Sequence, residues 1–244
     1  MMSYLAAGSV LIAGSCLQGL TGFGYSLLCL PLLALFLPVR DAVPILIATS
    51  IILNILVWAG ARRCVRLPAL LPLMLAGLVG TPLGVWLLGV IDDWMLKAAI
   101  GILVILASLL YMTGFRVTIR RYRITMLAVG LLSGVLNGST SLSGPPVILL
   151  LVNQDASRDT FLGSLSIYFL CLNLVAVPAL IVGGLYSMEA VRMTIMGAPL
   201  VLAGGLLGTW LSRRMGDREF RKASLVFLAL LGIVSLLLAV ADVV

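Results

Sequence analysis

The chain has no histidine, and charge is scarce: Asp, Glu, Lys and Arg make up 10% of its 244 residues, against roughly a quarter in soluble domains. Each scarcity removes a class of function. An enzyme needs acid–base or nucleophile groups gathered in one pocket, and the apolar segments offer almost none. Ion-pump relays place ionisable groups inside the membrane, and none lies clearly at mid-span here. There is no fixed cationic clamp for a polyvalent phosphate ester. Cys16, Cys29, Cys64 and Cys171 show no paired metal spacing and read as small buried hydrophobes. Nothing matches a protease, haem or nucleotide motif, and 89 GVIDDW 94 reads as an acidic turn. No catalytic residue, cofactor or metal site is expected.

Apolar sequence fills the chain instead, at 62% hydrophobic residues. Charge is missing from 1–39, 42–61, 67–91, 98–115, 124–154, 160–188, 193–212 and 223–241. A spanning helix needs about 20 mostly apolar residues, so most of these runs fit one helix each. A barrel would show short alternating strands, and none is present. The expected class is an all-α polytopic membrane protein in the lipid bilayer of the cell inner (plasma) membrane. The N-terminus has no basic region before its apolar run and reads as part of the body rather than as a cleaved signal.

The net charge of +7 would point to nucleic acid in a soluble domain. Here it reads as topology, with no nucleic-acid partner. Short loops rich in Lys and Arg stay cytoplasmic, which assigns 61–66, 116–123 and 213–222 to that side. All basic residues except Arg40, Lys97 and Arg192 then face the cytoplasm. Two runs, 1–39 and 124–154, are too long for one helix and contain glycine and proline. The first breaks at Gly22, Gly24, Pro31 and Pro38. Each becomes a broken helix pair or a re-entrant hairpin, followed by three full spans.

Two inverted-topology repeats follow, 1–115 and 116–244. Gly19, Leu27 and Pro31 align with Gly134, Leu142 and Pro146, and 76 AGLVGTPLG 84 aligns with 204 GGLLGTWLS 212. Asn54 and Asn173 occupy similar places in their third spans. The shifts are 115, 128 and 119 residues, so small insertions separate the halves.

Inverted repeats with broken helices are a transporter pattern, with substrate near the midplane where the breaks meet. A break in lipid exposes N–H and C=O groups costing several kcal/mol each unless partnered. Ser, Thr and Asn can partner those groups or a ligand. Pro145 and Pro146 suit the start of a new helix, whose positive end favours an anion. The expected lining for a small anionic substrate is Gly22, Phe23, Gly24, Tyr25 and Ser26 from the first half. From the second come Asn137, Gly138, Ser139, Thr140, Ser141, Ser143 and Gly144. Asn54 and Asn173 join as mid-span amides that need polar partners, and either can cap the broken helix of its own half. Gln18 is a weaker candidate of the same kind. Thr81 and Thr209 are expected to bond their own helices. Arg40-Asp41 and Arg158-Asp159 open long spans, where aspartate suits the helix start.

The runs 19 GLTGFGYSLLCLPLL 33, 130 GLLSGVLNGSTSLSGPPVILL 150, 77 GLVGTPLG 84 and 204 GGLLGTWLS 212 resemble the sulfite exporter TauE/SafE family of membrane permeases. The resemblance implies a secondary transporter of sulfite, sulfonates or related organosulfur anions, in export or uptake, working by alternating access. Many members carry a glycine-rich run in the second half. The matching positions here read Gly134, Gly138, Ser139, Thr140 and Ser141, with hydroxyl residues replacing glycines. An anion channel, or a permease for a small carboxylate without sulfur, is the alternative. Proton coupling and a homodimer are both compatible with the sequence, which names neither a titratable group nor an interface.

Overall fold

A computed structural model describes residues 2–65, 67–112, 122–152 and 157–216. Expectations placed on Arg66, Arg116, Arg120, Arg121, Arg218, Arg221 and Lys222, on the 115/116 boundary and on the span 223–241 lie outside the described residues.

Among the described residues every regular element is helical: α1 (Met2–Thr21), α2 (Tyr25–Leu33), α3 (Val39–Ala61), a short 3₁₀ turn (Arg62–Cys64), α4 (Leu67–Val90), α5 (Asp93–Met112), α6 (Tyr122–Thr140), α7 (Gly144–Val152), α8 (Arg158–Val182) and α9 (Met188–Arg213). Four helical stretches, Val39–Cys64, Leu67–Val90, Arg158–Val182 and Met188–Arg213, are long and apolar enough to cross a membrane. At about 1.5 Å per residue each exceeds the roughly 30 Å hydrocarbon core. Large apolar side chains such as Val79, Trp86, Ile102 and Ile195 remain exposed on the outer faces, as lipid contact requires. The chain is an all-α polytopic membrane protein.

The two long runs break where small polar residues interrupt the apolar sequence. α1 stops at Thr21 and α2 restarts at Tyr25, with Gly24 (φ 95°) as its N-cap. α6 stops at Thr140 and α7 restarts at Gly144. Pro31 does not break the chain, because it lies inside α2, whereas Pro38 caps the start of α3. Both breaks fold into hairpins. Gly14 of α1 lies against the Tyr25 ring and Cys29, and Cys29 Sγ comes 3.3 Å from the Val10 carbonyl, so α2 runs back along α1. In the second hairpin Ser133 Oγ donates to the Ser143 carbonyl at 2.7 Å.

Small residues let hairpins and spans touch backbone to backbone. On α6, Gly130, Gly134 and Gly138 face Leu73, Gly77 and Thr81 of α4. The numbers rise together, so α4 and α6 run in the same direction. Likewise Gly204 and Gly208 of α9 face Ile12 and Cys16 of α1. Without a hydrophobic force between helices in lipid, such close packing supplies much of the association. The long helices α3 and α8 pack against each other, and each also touches a second long apolar helix: α3 against α9, and α8 against α4.

The helix ends are tied across elements. Asp93 Oδ1 accepts from Val39 N–H at 2.7 Å, so α3 is capped by the α4–α5 turn rather than by Asp41. Asp41 lies in the first turn of α3 and accepts from Ser187 Oγ at 3.3 Å. Arg40 Nη2 donates to the Ile91 carbonyl at 3.0 Å, and Arg158 Nη2 donates to Ser212 Oγ at 2.7 Å. A Cβ on Gly60 would come 3.2 Å from Arg213. The ends of α3 and α9, with their basic residues, therefore share one side.

Gly134→Val should lower the thermal unfolding midpoint in detergent by several degrees, since its Cβ would meet the Gly77 carbonyl and overpacking costs about 1–3 kcal/mol. Gly101→Val serves as the comparison, because nothing lies within 4 Å of a Cβ at that position. Equal midpoints for the two variants would contradict the α4–α6 packing.

Candidate functional site

The tips of the two hairpins meet over the middles of α3 and α8 and leave a cavity of about 40 Å³. That is room for roughly three waters or one small ion. The first break contributes Phe23, Gly24, Tyr25, Ser26 and Leu27, and the second Ser141, Leu142, Ser143 and Gly144. α1 adds Gln18, α6 adds Asn137, α3 adds Ser50 and Asn54, and α8 adds Phe169 and Asn173. Among the described residues no Lys, Arg, Asp or Glu lines it. Most of the wall is buried, and only Ser26 and Gly144 are half-buried.

Two amide pairs tie the hairpins to the long helices. Gln18 Nε2 donates to Asn54 Oδ1 at 2.8 Å, and Asn137 Nδ2 donates to Asn173 Oδ1 at 3.0 Å. Each pair spans 36 residues of sequence, and a shift of 119 residues carries Gln18 onto Asn137 and Asn54 onto Asn173. The same shift carries Thr21 onto Thr140, the last residues of α1 and α6. It also carries Gly22 (φ 82°) onto Ser141 (φ 58°), so both breaks turn through a left-handed residue. The breaks thus correspond at 119 rather than at the 115 that aligned Pro31 with Pro146.

The backbone freed at the breaks is partnered locally. Thr21 Oγ1 sits between the Leu17 and Phe23 carbonyls, at 2.9 and 2.7 Å. Leu142 N–H reaches the Leu136 carbonyl at 3.3 Å. Ser141 is the one described residue other than glycine at positive φ, a conformation costing an L-residue about 1–2 kcal/mol. Its hydroxyl lies 2.8 Å from Ser26 Oγ, which joins the two breaks directly.

Ten of the residues expected at the site line this cavity: Phe23, Gly24, Tyr25, Ser26, Asn54, Asn137, Ser141, Ser143, Gly144 and Asn173. Gly22, Gly138, Ser139 and Thr140 do not. Gly22 is packed against Leu162, and Gly138 against α4. Ser139 and Thr140 donate to the carbonyls one turn back, Val135 at 2.8 Å and Leu136 at 2.9 Å. Thr81 and Thr209 bond their own helices in the same way. The Tyr25 hydroxyl is committed to Thr49 at 2.8 Å, and Thr49 in turn donates to the Ile45 carbonyl at 2.6 Å.

Ser50, Phe169, Leu27 and Leu142 line the cavity without having been singled out in the sequence. The available signal was spacing, because Ser50 and Phe169 each stand one helical turn before the buried asparagine of their helix. Several polar groups of the wall are satisfied within the protein. Asn173 Nδ2 donates to Ser50 Oγ at 2.8 Å, and Ser50 Oγ donates to the Ile47 carbonyl at 2.9 Å. Asn54, 1% exposed, differs from Asn173 in that its buried Nδ2 has no partner among the described residues. A buried unmade donor costs about 1–3 kcal/mol, and here it stands on the wall of a cavity.

No curated protein and no solved structure matches the chain. The family model described as sulfite exporter TauE/SafE matches residues 6–235, which takes in both hairpins and all four long apolar helices. The chain belongs to the sulfite exporter TauE/SafE family, and it is a secondary transporter for small anions of the sulfite and sulfonate type rather than an enzyme.

Proposed function

We propose that the cavity between the hairpin tips is the anion site of an alternating-access transporter built from two inverted repeats, 1–115 and 116–244. The observation that carries this reading is the open donor of Asn54 in a cavity lined by neutral groups. The nine-residue helices α2 and α7 start at the same wall. A helix N-terminus carries roughly half a positive charge and is a ready anion site. Donors of this kind hold an anion without a fixed cation.

Helix directions support the inversion. α1 runs with α9 towards the basic ends at Arg62, Arg63 and Arg213, so the first hairpin dips from the opposite side. α6 runs with α4 away from those basic ends, so the second hairpin dips from the basic side. Basic loops favour the cytoplasm, which places the second hairpin on the cytoplasmic face of the inner membrane. α3, α4 and α5 then follow the first hairpin, and α8 and α9 follow the second, with the expected third span of that half, 223–241, outside the described residues. In transport, the Ser26–Ser141 contact separates as one mouth opens and re-forms as it closes. Among the described residues the cavity wall holds no Asp, Glu, Lys, Arg or Cys, and its Tyr25 hydroxyl is committed to Thr49, so any proton coupling enters through the substrate.

Purified protein in proteoliposomes should take up sulfite and methanesulfonate with saturation. Asn54→Asp keeps an oxygen for Gln18 but replaces the open donor with a negative oxygen. It should cut that uptake at least 10-fold while the protein stays monodisperse. Uptake by Asn54→Asp equal to the parent would overturn the site, and flux linear in substrate would replace the transporter with a channel.

A further inference from the structure

The two halves of the cavity are not equivalent, and the difference lies one turn before each asparagine. In the second half the order of donors is forced. Ser50 has one hydroxyl proton, and it goes to the Ile47 carbonyl, so its oxygen must accept from Asn173 Nδ2. Asn173 Oδ1 is then left to accept from Asn137. All of Asn173's orientation is consumed within the protein. Shifting Ser50 by 119 residues lands on Phe169, which has no acceptor. The matching amide, Asn54 Nδ2, is the one with no partner among the described residues. The second half is also poorer in main-chain donors, since Pro145 and Pro146 in the first turn of α7 have no N–H. In α2 the corresponding residues are Ser26 and Leu27, each with an N–H.

We infer that Ser50 and Phe169 determine specificity, by leaving one open amide donor on the first-half side and so selecting a singly charged oxyanion. The inference rests on the reading of this cavity as the anion site. Charge balance points the same way. Two helix N-termini at roughly +0.5 each sum to about one positive charge. There is no Lys or Arg on the wall to meet a second negative charge, and burying an unpaired charge is very costly. The anion's oxygens sit on Asn54 Nδ2 and the first turn of α2. Any apolar remainder faces Phe169. Sulfite enters as its protonated, singly charged form.

Three variants test this in proteoliposomes, with methanesulfonate as the singly charged probe and sulfate as the doubly charged one. Phe169→Ser installs a hydroxyl where symmetry demands an acceptor for Asn54. It should raise the KM for methanesulfonate at least 10-fold relative to Phe169→Ala, which removes the same ring without adding an oxygen. Ser50→Ala frees Asn173 Nδ2 and should raise the sulfate-to-methanesulfonate transport ratio at least 10-fold over the parent. If Phe169→Ser does not fold, the Ser50→Ala ratio alone decides. Equal KM for the two Phe169 variants, or an unchanged ratio in Ser50→Ala, overturns the selection by donor count. A parent protein that still needs Asn54 for methanesulfonate uptake would keep the site while losing this inference.

Discussion

A chain that interrupts its helices within a bilayer must find partners for every backbone and amide group it frees, because lipid offers none. That constraint organises the centre of this molecule. Two short helices, α2 and α7, begin close together in the interior, and each break is tied by a hairpin-tip amide to an asparagine on a long helix. Threonine and serine hydroxyls absorb nearby carbonyls. What remains after this accounting is the open donor of Asn54 and a small void. The cavity is thus what the satisfaction of the breaks leaves over, and its lining is neutral because no fixed charge was needed to hold the breaks together.

The packing around the breaks crosses between the halves. The first hairpin lies along α9 and the second along α4, each through glycines that bring main chains into contact. Neither half can shift as a body without carrying the other's hairpin or sliding along these small-residue seams. The long helices α3 and α8 supply the common floor, and their asparagines are the points where floor and hairpins are pinned. Packed interfaces switch between discrete arrangements rather than deforming smoothly, which suits an alternating transporter. The Ser26–Ser141 bond is a direct tie across the cavity, made of two neutral hydroxyls.

Much of the site was readable from composition alone. Asn54 and Asn173 stood out because an amide in an apolar span demands a partner, and both found one in the last turn of the preceding broken helix. The polar run at 137–144 was readable as a break for the same reason. Ser139 and Thr140 were misleading in detail: their hydroxyls turn back to their own helix, an option open to any serine or threonine. Ser50 and Phe169 gave no signal as isolated residues, since a serine in a membrane helix is ordinary packing material and a phenylalanine ordinary core. Pro31 and the repeat register failed together. A proline inside α2 was matched to one at the start of α7, and the amide pairs and the left-handed turns carried to the breaks the shift of 119 residues that Asn54 and Asn173 already gave.

The sequence by itself determined the class and the spans, because hydrocarbon thickness and backbone satisfaction admit one solution for long uncharged runs with glycine breaks. It also determined which stretches had to break, and the family follows from the chain's own residues. The tertiary structure alone decided that each break folds into a hairpin, that the first hairpin packs on α9 and the second on α4, and which amide stays open. The physical reason is that an isolated amide in a span always seeks a partner. Whether it finds a serine, another amide or nothing depends on which helices are brought alongside it.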